Sequence, residues 1–273
     1  MLFMSLFEVF TIYMVYTYFF NDVFRLSCVF GVSYGMYVKL YFSAIASIVA
    51  FAAAILILFK SRNKPTGKLT VLSLSMAAFA GGISTLAVAI ASYFYINYSS
   101  IFTFIPETTQ MLYRVHFVTV ALVGLFFWLF FSQLIRVKRE GVYLAILTSL
   151  IVAFLSSIAP ITAAEVQLML SVNMDLVYSL ITLIYWLGTF IIISLSFFYY
   201  ASKQKDERRI MGAIMGTAGI SAIMVQVSNL FALLLTNMIL EASVWIFAAV
   251  AFTLMYFGLL PPKRLLQKGT KRK

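Results

Sequence analysis

The sequence predicts an all-α polytopic membrane bundle with seven core transmembrane helices, and three observations carry that fold class. Apolar residues make up 63% of the chain and charged residues 11%, with a mean hydropathy of +1.00. Soluble domains hold about 45–50% and about 25%. Several apolar runs exceed the roughly 18 residues that suffice to cross a bilayer. Seventeen of the twenty Lys and Arg fall in four short clusters between those runs. Such clustering fixes topology and is not a nucleic-acid footprint, despite a net charge of +11.

Residues 1–38 form a hydrophobic or interfacial segment. Leu2–Phe20 is apolar and long enough to cross when tilted, but it holds Glu8. It lacks both the basic start and the small-residue cleavage site of a signal peptide. Val23–Val38 carries Arg25 among aromatic residues, a composition suited to an interface. An eighth span and a leader with Met36 as an alternative start both remain open.

The membrane domain, 39–262, has spans at approximately 39–59, 69–96, 111–135, 141–161, 175–200, 209–237 and 241–260. The first connection carries Lys60, Arg62, Lys64 and Lys68. The third carries Arg136, Lys138 and Arg139, and the fifth Lys203, Lys205, Arg208 and Arg209. The tail, 263–273, adds Lys263, Arg264, Lys268, Lys271, Arg272 and Lys273. Alternate connections carry Glu107, Glu165, Asp175 and Glu241. Positive residues stay cytoplasmic, so the core is expected N-terminus out and C-terminus in, in the cell membrane. The tail then faces anionic headgroups at about 1 kcal/mol per basic residue; a docking segment is the sharper alternative. The cytoplasmic connections are too short for a catalytic domain.

The missing chemistry is informative. No Asp, Glu, Lys or Arg lies near the middle of a span, where such groups mark proton relays and ion paths. The last span has no lysine for a Schiff base. One cysteine, Cys28, allows no intrachain disulfide. One histidine, His116, builds neither a multi-histidine metal site nor a bis-histidine haem site. No enzymatic activity, cofactor or metal is expected. His116 sits beside Arg114 near the outer end of span three, as an interfacial residue or an outer-face sensor.

Span six has the richest polar content. Gly212, Gly216 and Gly219 line one face of its cytoplasmic half, suited to close packing within the chain or between two copies. Gln226, Ser228 and Asn229 fall near the midplane, with Gln226 and Asn229 sharing a face. Tyr185 on span five and Ser156 and Ser157 on span four are candidate partners. Interhelical bonding and a small polar pocket for a ligand or waters are the two readings. Span two, rich in Ala, Gly and Ser, suits a central helix. Trp128, Trp186 and Trp245 share no depth and define no aromatic cage. Pro160 ends or kinks span four. Asn97–Tyr98–Ser99 is a weak match to a glycosylation sequon.

The span count, the short loop between spans three and four, and the closing Gly258, Pro261, Pro262, Lys263 and Arg264 resemble a known module. It is the seven-helix membrane input module of prokaryotic sensor histidine kinases, and the likeness covers about 39–262. In that family a basic linker leads to the kinase. Here no phosphoacceptor or ATP-binding region follows Lys273, so the resemblance implies a sensor acting through a separate signalling protein. The alternatives are an accessory subunit of a membrane complex or a carrier of a neutral solute. Oligomeric state is open.

Overall fold

The computed structural model describes residues 34–61, 68–98, 107–135, 137–166, 169–174, 176–235 and 238–260. The questions raised by residues 1–33 and by the basic tail lie outside the described residues. Seven helices among them are long and apolar enough to cross a membrane. They are α1 (Tyr34–Ser61), α2 (Lys68–Tyr98), α3 (Glu107–Ile135), α4 (Arg139–Ile158), α5 (Leu176–Lys203), α6 (Asp206–Leu235) and α7 (Met238–Leu259). The chain is a multi-pass membrane protein with a seven-helix bundle.

Apolar runs of this length become helices because hydrocarbon offers no partner to a free backbone group. Many hydroxyls are satisfied the same way, within their own helix. Ser43 donates to the Lys39 carbonyl at 2.6 Å, Thr119 to Val115 at 2.7 Å and Ser149 to Ala145 at 2.6 Å. α4 stops at Ile158 because Pro160 has no N–H to continue the ladder. Ala159 turns extended there, its N–H still reaching the Leu155 carbonyl at 3.0 Å.

The sequence places span four to residue 161 and leaves 162–174 as a plain connection. Instead, β1 (Ile161–Val166) and β2 (Met169–Met174) form an antiparallel hairpin, in register from Ile161↔Met174 to Val166↔Met169. It touches α1, α3 and α5 at one end of the bundle.

Consecutive helices pack side by side, and α7 returns to pack on α1, so the bundle closes as a ring. α3 also touches α5, which leaves α4 on the outside. The most apolar stretch of α2 is 72% buried, against 28% for α4. Small residues explain the difference: Ala77, Ala78, Gly81, Gly82 and Ala91 let neighbours approach closely. A Cβ on Gly82 would meet the Phe51 ring at 2.7 Å. Outward-facing Phe59, Phe154, Ile184 and Leu195 stay exposed, as a lipid-facing surface requires.

α1 and α7 run parallel and are fastened near both ends. Lys39 pairs with Glu241 at one end, with Nζ 3.3 Å from Oε1. At the other, Lys60 Nζ donates to the Tyr256 hydroxyl at 2.7 Å. The Lys60 end also gathers Lys68, Arg139, Lys203, Arg208 and Arg209, and is called the basic end below.

Candidate functional site

The half of the bundle nearer the basic end is filled by rings. Phe127 stacks on Phe190 at 5.5 Å and on Phe130 at 5.9 Å, and Phe131 meets Phe197 edge-on at 5.5 Å. Above this layer the centre opens into a cavity of about 110 Å³ lined by six helices, all but α4. A single water needs only about 10–15 Å³, and an engineered apolar cavity of about 150 Å³ binds benzene. The space therefore suits several waters or one small molecule.

At the end away from the basic loops, Lys39 and Glu241 bring a cation and an anion together, both largely buried. Trp245, one turn along α7, donates its Nε1–H to the same Glu241 oxygen at 3.2 Å. The Lys39 ammonium also lies 5.8 Å from the Tyr113 ring centre. Each charge thus gains a second favourable neighbour, which a buried pair needs to offset its desolvation.

The sequence treats Lys39 and Glu241 as flanking charges at span ends. α1 in fact begins at Tyr34 and α7 at Met238, so both residues lie inside helices and face each other. One signal was available. Lys39 is a basic residue at the end where the other connections are acidic, an exception to the charge pattern that fixes the topology.

His116 and Arg114 part company. Residues two apart on a helix point about 200° from each other. Arg114 turns to α4 and donates to the Ser157 carbonyl at 3.3 Å. His116 lines the cavity, its Nδ1 2.8 Å from Ser84 Oγ and 3.2 Å from the Ser84 carbonyl. It is an interior residue on the α2–α3 contact, contrary to the interfacial expectation.

Gln226 and Asn229 line the cavity together, as their shared face predicts. No hydrogen bond among the described residues engages either amide. Ser228 is buried away from the lining. The partners the sequence suggests for these amides lie elsewhere. Tyr185 bonds Ser149 on α4 at 2.7 Å and the Ala121 carbonyl on α3 at 3.1 Å. Ser157 donates within α4, and the buried Ser156 hydroxyl has no partner among the described residues. α4 lies outside the ring with α5 between it and α6, so its serines do not reach that face.

Gly212, Gly216 and Gly219 all face α5. A Cβ on Gly212 would lie 3.0 Å from that of Ala201, and on Gly216 2.9 Å from the Phe198 ring. One on Gly219 would collide with Ser194 Oγ. Their close approach is used inside this chain.

Two of the three tryptophans do share a site. Trp186 and Trp245 both line the cavity, while Trp128 packs on Phe131 outside it. Trp186 donates to the Ala222 carbonyl on α6 at 2.8 Å and lies 4.5 Å from the Phe190 ring. Spacing along separate helices leaves open which residues face one another, so the shared cavity of Trp186 and Trp245 departs from the expectation of no common depth. Asn97 donates to the Tyr93 carbonyl at 2.8 Å at the exposed end of α2. Among the described residues no group of His, Cys, Asp and Glu is arranged to hold a metal ion.

Compared with known proteins, the chain matches no family model, no curated protein and no solved structure.

Proposed function

We propose that the chain is a receptor-like protein of the cell membrane that takes a small molecule into the central cavity. Its arrival is relayed to a separate signalling protein at the basic, cytoplasmic end. One observation carries this reading: among the described residues, a largely apolar cavity with a few polar groups is shared by six helices. An occupant touching six helices has differential contacts with any two arrangements of the ring, which is the thermodynamic requirement for a switch. The connections at 62–67, 136–138 and 204–205 are short, so output from this region passes through helix ends to a partner.

A bulky residue at Ala248, which is buried and lines the cavity, separates this reading from an accessory-subunit role. Affinity purification of the full chain in mild detergent should recover a soluble kinase, cyclase or regulator, in an amount altered by Ala248→Phe. Recovery of membrane-complex subunits alone, unaffected by that substitution, supports the accessory role instead. A carrier of a neutral solute would also need a central cavity. Carriers commonly bind at interrupted helices, however, whereas the helices lining this cavity run unbroken through their described residues. Solute uptake into protein-containing liposomes would favour the carrier.

A further inference from the structure

Resting on the cavity reading above, we infer that the ligand is a small uncharged molecule with an apolar body and one O–H or N–H donor. The volume, the charge balance and the free polar atoms of the lining each bear on this class.

Size comes from the cavity, about 110 Å³, which admits a body no larger than a small ring. Its middle is apolar, with Val120, Trp186, Phe190, Phe252 and Met255 along the walls. The Phe252 ring sits against Gly81, where any Cβ would strike it. Glycine at that position lets the tip of the ring press against α2.

Charge comes from Lys39 and Glu241. They neutralise each other, and Trp245 takes up further capacity of the carboxylate. A cationic or anionic ligand would enter without a free counter-ion, or would have to break the pair and strand one of its members. Either leaves an uncompensated charge out of water. A neutral ligand incurs neither cost.

The donor requirement comes from the polar groups of the lining. His116 Nδ1 meets both Ser84 oxygens: either it donates to the carbonyl, which leaves Nε2 as an acceptor, or it accepts from the Ser84 hydroxyl and Nε2 carries the proton. No hydrogen bond among the described residues uses Nε2. Gln226 and Asn229, also unengaged, supply a donor and an acceptor each on the α6 wall. A ligand hydroxyl or N–H has an acceptor on α3 or α6, and its own oxygen has an amide donor.

The test is thermal unfolding of the detergent-solubilised full chain with probes of equal heavy-atom count: cyclopentanol, methylcyclopentane, cyclopentylammonium and butanoate. Binding to the native state raises the midpoint in proportion to affinity. Cyclopentanol should stabilise at concentrations about tenfold lower than methylcyclopentane, the worth of about one hydrogen bond. The two ions should give no shift. His116→Phe and Asn229→Leu should erode the preference for the alcohol while keeping the response to methylcyclopentane. Stabilisation by either ion at the alcohol's concentration overturns the ligand class and leaves the receptor reading intact. So does an alcohol preference that survives both substitutions. If no probe acts, and xenon under pressure also leaves the midpoint unchanged, the cavity reading itself fails.

Discussion

Phe127, Phe130, Phe190 and Phe197 close the centre of the bundle nearer the basic end, with ring centres 5.5–6.5 Å apart. Further along the same α3 and α5, His116 and Trp186 border an open space with Lys39, Gln226 and Asn229. The helices are shared, yet one region is packed by dispersion alone and the other holds polar groups around a void. Lipid tails are as apolar as phenylalanine, so in a membrane the packed region gains from fit and not from leaving water. The open region forgoes that fit and holds a buried ion pair. The contrast sets a filled base beneath an open region, the arrangement on which the proposed receptor role rests.

The comparison can be broken most severely at the ion pair. Lys39→Met or Glu241→Leu alone strands a charge and should cost about 3–5 kcal/mol, whereas the double substitution should recover most of the loss. Reversible unfolding in mixed micelles measures both, and additive single effects would remove the pairing. Phe127→Ala, at the heart of the packed region, should cost about 3 kcal/mol. It should leave probe binding in the cavity unchanged if the two regions are independent. Gly81→Ala pushes on the Phe252 ring where the regions meet, and should cost about 1–3 kcal/mol. Unlike Phe127→Ala, it should weaken binding too, read by the same titration. Gln226→Leu and Asn229→Leu should change stability by less than about 1 kcal/mol, because neither amide gives up a protein partner. A larger loss in either would show that the amide is held within the protein.

The spans were legible because bilayer thickness imposes a length that composition reveals directly. Arg139–Ile158 and Met238–Leu259 fall within a few residues of the expected spans. The α6 amides were legible as a shared face from their spacing of three. What faces that space was not, since it depends on how each helix is rotated. Tyr185 turns to Ser149 and Ala121, and Trp186, its immediate neighbour, turns to the cavity. A rotation of 100° per residue separates those two fates, and hydropathy does not resolve it. Lys39 and Glu241 were hidden for a related reason. Charges at span ends look solvated until the helices are seen to continue beyond them. The hairpin at Ile161–Met174 gave little signal, because a short connection reads the same whether or not its two arms pair.

The odd number of helices among the described residues has one more consequence. Every other joint between ring neighbours is bridged by a connecting segment, but α1 and α7 run parallel and are not joined directly by chain. Among the described residues their seam is held by side chains, with Lys39–Glu241 and Lys60–Tyr256 as its two clasps. If the ring parts anywhere without straining a loop, it parts there. A molecule already dissolved in the bilayer would then have a sideways door to the centre and need never pass through water.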